Sequence, residues 1–130
     1  MGLSGKVHFV GIRTDVARLM RGAMDVFVFP SLWEGLPITL IEAQAAGLPC
    51  IVSGVCSTEV SILPDQFTQL SLSKSSEVWA AHVIKALDRG KVRSELPLPV
   101  IAQTDFSIQR CVRRLSDLYE TSHRDQLLVA

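Results

Sequence analysis

"DVFVFPSLWEGLPITLIEAQAAGLPCIVS", residues 25–53, decides the fold. "DVFVFP" (25–30) and "PCIVS" (49–53) are short, nearly continuous apolar runs bounded by proline or serine, as expected of strands covered on both faces. Between them "PITLIEAQAAG" (37–47) carries proline in its first turn and glycine at its end, the asymmetry of a helix. Strand, helix, strand implies two parallel strands joined by a right-handed crossover. From Phe29 to Pro49 the only charges are Glu34 and Glu42, and Glu42 falls in the middle of an otherwise almost wholly apolar helix.

The flanking sequence extends the alternation. "KVHFVG" (6–11) has strand character, and "TDVARLMRGA" (14–23) predicts a helix capped by Thr14 or Asp15 with Val16, Leu19, Met20 and Ala23 on one stripe. Downstream, "STEVSIL" (57–63) predicts a short helix with Ser57 as cap, and "FTQLSL" (67–72) a weaker strand. "SSEVWAAHVIKALDRG" (75–90) predicts an amphipathic helix ended by Gly90. "KVRSELPLPVIAQT" (91–104) reads as a connecting loop. "DFSIQRCVRRLSDLYE" (105–120) has a helical stripe of Ile108, Cys111, Val112, Leu115, Leu118 and Tyr119. The fold class is α/β with a parallel sheet.

At 130 residues the chain has the size of one domain. Thirteen basic and thirteen acidic residues cancel without runs of either sign, so no charge-held nucleic-acid or membrane surface is expected. An apolar content of 48% with only 6% aromatics suits an aliphatic α/β core. Cys50, Cys56 and Cys111 are odd in number and form no CxxC pair, which argues for reduced thiols and against a zinc site. No apolar run reaches the length of a membrane span, and "MGLSGK" lacks a signal-peptide apolar region, so a cytoplasmic location is expected.

In an open parallel sheet, ligands bind beyond the carboxyl ends of the strands, where helix N-termini present free N–H groups. The loop "SLWEGLP" (31–37) is placed there. Gly35 permits close backbone approach, Pro37 sets the first turn, and the amides of Ile38, Thr39 and Leu40 point toward an anion such as phosphate. The eight-residue offset brings Glu34 and Glu42 to one edge of a cleft. Ionised carboxylates accept hydrogen bonds in pairs, which suits the adjacent hydroxyls of a ribose or hexose. The plainer alternatives are that Glu34 complements the helix dipole and that Glu42 shares a solvated stripe with Gln44.

The stretch 6–53, with its "PS-x-x-EG-x-P-x-x-x-x-EA-x-A-x-G-x-P" pattern, resembles the donor-binding half of retaining glycosyltransferases of the two-Rossmann-domain (GT-B) type, family four, group 1. Their signature is glutamate, seven residues, glutamate, matched by Glu34 and Glu42. The resemblance is strong over residues 6–60, and "DFSIQRCVRRLSDLY" (105–119) resembles the family's closing helix. It implies a Rossmann-like three-layer sandwich, incomplete, of about four strands with flanking helices. It also implies a partial C-terminal nucleotide-sugar-binding domain over residues 1–130, with its core at 6–90 and its closing helix at 105–121. Glu42 would bind the ribose of a nucleotide-diphosphate sugar. Glu34, as the catalytic residue, would contact hydroxyls of the transferred sugar. Gly35, Leu36, Pro37, Ile38 and Thr39 would hold the diphosphate or sugar, and Arg13, Asp15 and Val16 would lie against the base. Ser31 and Trp33 either shape the pocket or, for Trp33, pack beneath the loop. His8 reads as structural, and His82 and His123 as lying on helices away from the cleft. No metal or cofactor is expected beyond the donor itself.

The resemblance also implies that an acceptor-binding N-terminal domain is missing, with the first two strands of the donor domain and their Arg and Lys. Those strands would lie between the 6–11 and 25–30 strands. The chain is therefore expected either to pair these two strands directly or to dimerise through exposed edges. Transfer needs acceptor and donor held together, so the isolated chain is expected to be inactive. In the full-length enzyme a place at the inner membrane face and a role in cell-surface polysaccharide synthesis are implied. The alternatives are a non-catalytic sugar-nucleotide-binding module and a degenerate remnant.

Overall fold

The computed structural model describes residues 2–89 and 97–127. Strands β1 (Phe27–Phe29), β2 (Cys50–Ser53) and β3 (Phe67–Leu70) form a parallel sheet in the order β1-β2-β3. The register sets Phe27 beside Cys50 and Phe29 beside Val52, then Cys50 beside Phe67. Helix α1 (Val16–Gly22) precedes β1, α2 (Ile38–Ala45) joins β1 to β2, and α3 (Ser76–Arg89) follows β3. Two further helices, α4 (Leu98–Ile101) and α5 (Ile108–Leu127), complete the described chain. Between β2 and β3 run two 3₁₀ turns, Thr58–Val60 and Pro64–Gln66, the first with Ser57 Oγ accepting from the Glu59 amide.

Successive strand residues face opposite sides, so Phe27, Phe29, Cys50, Val52 and Phe67 share one face. They pack with Met20 of α1, with Leu40, Ile41 and Ala43 of α2, and with Leu48, Cys56 and Val60 in one core. The other face carries Val28, Ile51 and Thr68. Ile51 is buried there, while Val28 is exposed. A cavity of about 490 Å³ lies beside this face, lined by Ile51 and Thr68 of the sheet and by His82 and Ala86 of α3. The sandwich thus has α1 and α2 on one side and α3 on the other, with Ala86 buried.

Helix α2 ends as its glycine predicts. Gly47 takes φ +74°, its amide donates to Gln44 O and the Leu48 amide donates to Ala43 O, the Schellman arrangement that closes a helix. Pro37 is the N-cap rather than a first-turn residue. Asp15 stands at the N-cap of α1, but its side chain makes no capping bond.

Two expectations are corrected. Residues 6–11 form no strand, so the sheet has three strands and not four. A strand exists only with a ladder partner. β1 is bonded to β2 alone among the described residues, so residues 6–11 pair neither with 25–30 nor with another strand of the sheet. Gly11 at φ +65° breaks the extended run, and Phe9 and Ile12 stand 97% and 105% exposed. His8 is accordingly an exposed residue and not a strand residue.

The stripe on 105–120 is also placed differently from a packed helix. α5 starts at Ile108, three residues later than predicted, because Thr104 accepts from the Phe106 and Ser107 amides in a tight turn and Asp105 pairs with Arg114 at 2.7 Å. Phe106 anchors the start of the helix on the core, but Ile108, Val112, Leu115, Leu118 and Tyr119 are all exposed. The loop reading of 91–104 holds only in part: Pro97 and Pro99 suit a first turn and α4 forms over Leu98–Ile101. Residues 91–96, Gly90 and the side chain of His123 lie outside the described residues.

Candidate functional site

The loop 30–37 leaves the carboxyl end of β1 and enters α2, as the strand-helix-strand reading requires. Its tip is open. Trp33 is 89% exposed, so it does not pack beneath the loop, and Leu32, Gly35, Leu36, Ile38 and Thr39 are exposed with it. Pro37 is buried and holds the helix entrance against the core. A side-chain carbon added at Gly35 would meet nothing within 4 Å. Packing therefore does not demand glycine there, and the space is free for a ligand.

Glu34 is half-buried, and its Oε1 accepts a hydrogen bond from Ser31 Oγ at 2.7 Å. Ser31 is fixed in turn from β2: Ser53 Oγ, fully buried, donates to Ser31 O at 2.7 Å. Ser53 is the residue after the Phe29–Val52 pair in the register, which brings its side chain beneath the loop. Glu42, on α2, is exposed. The solvated stripe shared with Gln44 is ruled out, because Gln44 is 0% exposed. Residues two apart on a helix are rotated by about 200° and face opposite ways. Gln44 Nε2 donates to Leu40 O and Val60 O, and its Oε1 accepts from the amides of Ile62 and Leu63. Both glutamates therefore sit on one β1–loop–α2 unit, Glu34 held and Glu42 free toward solvent.

Arg13, Asp15 and Val16 form a separate group at the entrance to α1. Arg13 donates through Nε and Nη2 to both oxygens of Asp15, at 2.7 and 2.8 Å, and Arg18 adds a bond at 2.7 Å. The Arg13 and Arg18 guanidiniums hold the Asp15 carboxyl below the usual carboxylate range. No hydrogen bond among the described residues links this cluster to Glu34 or Glu42. Val16 is exposed.

The cysteines are free thiols; Cys50 and Cys56 are buried and Cys111 is exposed. Burial pushes the Cys50 thiol up to about 12, which removes it as a nucleophile. His82 is half-buried, with Nδ1 2.9 Å from Val78 O, away from the loop. Among the described residues no group of three His, Cys, Asp or Glu side chains is arranged to hold a metal. No helix among them is long and apolar enough to cross a membrane. Sequence reasoning missed the Ser53–Ser31–Glu34 relay, since 22 residues separate the two serines and only the strand register joins them.

Comparison with known proteins assigns the framework around this loop. Residues 1–97 match the family described as Glycosyl transferases group 1. The chain is 40% identical over 120 residues to "Putative glycosyltransferase EpsF" of Bacillus subtilis, covering 92% of this chain and 31% of that protein. It is 41% identical to the "Lipopolysaccharide core biosynthesis mannosyltransferase LpsB" of Rhizobium meliloti, over 95% of this chain and 36% of the relative. Over 55 residues it is 49% identical to the "UDP-Gal:alpha-D-GlcNAc-diphosphoundecaprenol alpha-1,3-galactosyltransferase" of Escherichia coli, covering 42% of this chain and 14% of that enzyme. The chain thus spans about a third or less of the length of these relatives. No solved structure matches it significantly. With an open parallel α/β sheet, a glutamate pair on its β1–α2 unit and this match over three-quarters of its length, the chain belongs to the group 1 glycosyltransferases of the GT-B type.

Proposed function

We propose that the chain is the donor-binding part of a retaining glycosyltransferase that takes a nucleotide-diphosphate sugar. The observation that carries this reading is the placement of Glu34 and Glu42 on one loop–helix unit at the carboxyl side of the sheet, beside open space at Gly35. Glu42, exposed and without a protein hydrogen bond among the described residues, is free to accept the two ribose hydroxyls. Glu34 keeps Oε2 for a hydroxyl of the transferred sugar. The amides of Ile38 and Thr39 precede the first intrahelical bond of α2 and carry the partial positive charge of a helix N-terminus, which suits a diphosphate, whereas the Leu40 amide already donates to Pro37 O and is not available as expected. Arg13, Asp15 and Val16 border the base, with Arg13 turned inward onto Asp15. No metal or cofactor takes part in this reading.

The relatives' printed names, a lipopolysaccharide core biosynthesis mannosyltransferase and a diphosphoundecaprenol galactosyltransferase, support a glycan or lipid-linked acceptor. The described residues offer no acceptor site in this reading, and the 130-residue chain by itself is expected to bind donor without transferring it. Calorimetric titration with UDP-, GDP- and ADP-sugars tests this. Binding of one class without release of free nucleotide is the expected result. Turnover by the pure chain would contradict its inactivity, and silence toward every donor would favour a degenerate remnant.

A further inference from the structure

We propose that Ser31, itself held by Ser53, is the positioning residue that aims Glu34 at the transferred sugar; the proposal rests on the donor-site reading above. The loop that carries Glu34 has little else to hold it. Among the described residues, no backbone hydrogen bond outside the helices and strands involves residues 30–36, and most of the loop is exposed. A glutamate on such a loop would sample many rotamers, and fixing one costs conformational entropy each time a ligand binds. Two serines remove that freedom in advance.

Ser53 ends β2 and is 0% exposed; its hydroxyl lies 2.7 Å from Ser31 O and 3.8 Å from Cys56 Sγ. The loop is thereby tied to the most buried strand of the sheet, where all four residues are buried. Ser31 Oγ then faces two acceptors, Glu34 Oε1 at 2.7 Å and Trp33 O at 3.1 Å. A hydroxyl has one proton, and the shorter, charge-assisted bond to the carboxylate takes it. Glu34 Oε1 is thus engaged and Oε2 left for the ligand. The relay transmits the fixed position of β2 to one oxygen of the sugar-contacting carboxylate, so its effect falls on the sugar and not on the nucleotide.

The test compares sugar-nucleotide with bare nucleotide on the full 130-residue chain. Affinities are measured by calorimetry for UDP-galactose against UDP and for GDP-mannose against GDP, in native protein, Ser31→Ala, Ser31→Thr and Ser53→Ala. The native chain should bind one sugar-nucleotide more tightly than its bare nucleotide. Ser31→Ala should weaken that sugar-nucleotide roughly five- to tenfold, the scale of one ordinary net hydrogen bond. It should leave the bare nucleotide unchanged, and Ser31→Thr, which keeps the hydroxyl, should restore the difference. Ser53→Ala should act in the same direction; if it fails to fold, Ser31→Ala on the exposed loop still decides. Equal weakening of both ligands would show a merely structural serine and overturn the proposal, as would an unchanged sugar increment in Ser31→Ala. A native chain that binds no nucleotide at all overturns the donor-site reading, and the proposal with it.

Discussion

The side chain that most repays attention in α2 is Gln44, which lies two positions from Glu42 and is buried beneath the opposite side of the helix. Three of its four hydrogen bonds join α2 to the turn at 60–63, the fourth returning to Leu40 O within the helix, so each face of one short helix has its own task. Gln44→Leu keeps the volume but leaves the Leu63 amide without its acceptor and takes one partner each from Val60 O and the Ile62 amide, which keep their bond to each other; a loss of about 1–3 kcal/mol is expected in urea unfolding. The sequence shows a polar residue in an apolar helix, yet three of its four partners lie 16 to 19 residues on, beyond the reach of helical periodicity. Asp15 makes a second residue-scale test. Its folded carboxyl titrates below its ordinary value because Arg13 and Arg18 favour the charged form. The stabilisation is therefore complete above the unfolded value of about 3.9 and is lost as pH falls through the lower folded value. Thermal midpoints followed from pH 5 to pH 2 should fall less steeply in Asp15→Asn than in the native chain.

At the scale of elements, the parts that local chemistry dictates were legible. β1, α2 and β2 follow from apolar runs and from the Pro37 and Gly47 boundaries, and Gly47 occupies the left-handed conformation that closes α2. Gly47→Ala should cost about 1–2 kcal/mol by the steric penalty of that conformation, read as a lower unfolding midpoint with unchanged helix content at low temperature. Residues 6–11 were misread because strand propensity alone is insufficient: a ladder needs a neighbour, and β1 bonds only to β2. The stripe of α5 was legible as a stripe, but no periodicity says what covers it. Likewise the glutamate pair was visible as a spacing, whereas the serines that hold Glu34 are joined only through the register of β1 on β2.

Over the whole molecule, among the described residues, apolar side chains are exposed in the run Val7–Ile12, at Val28 on the open sheet face, along the loop and helix entrance at Leu32, Trp33, Leu36 and Ile38, and on the α5 stripe. Exposed apolar patches mark association surfaces, and β1 has no second strand partner among the described residues. Self-association is therefore expected. Light scattering after size exclusion should give a mass that rises with concentration above the 14.3 kDa of one chain, and a constant 14.3 kDa would contradict it. The central claim concerns the carboxylates. It is tested most directly by titrating the best-bound nucleotide-sugar into the native chain and into Glu42→Ala. Because Glu42 is exposed, the variant should keep its stability within about 0.5 kcal/mol. The account predicts at least a roughly tenfold loss of donor affinity from removing a bidentate carboxylate. Equal affinity in a folded Glu42→Ala chain would contradict it.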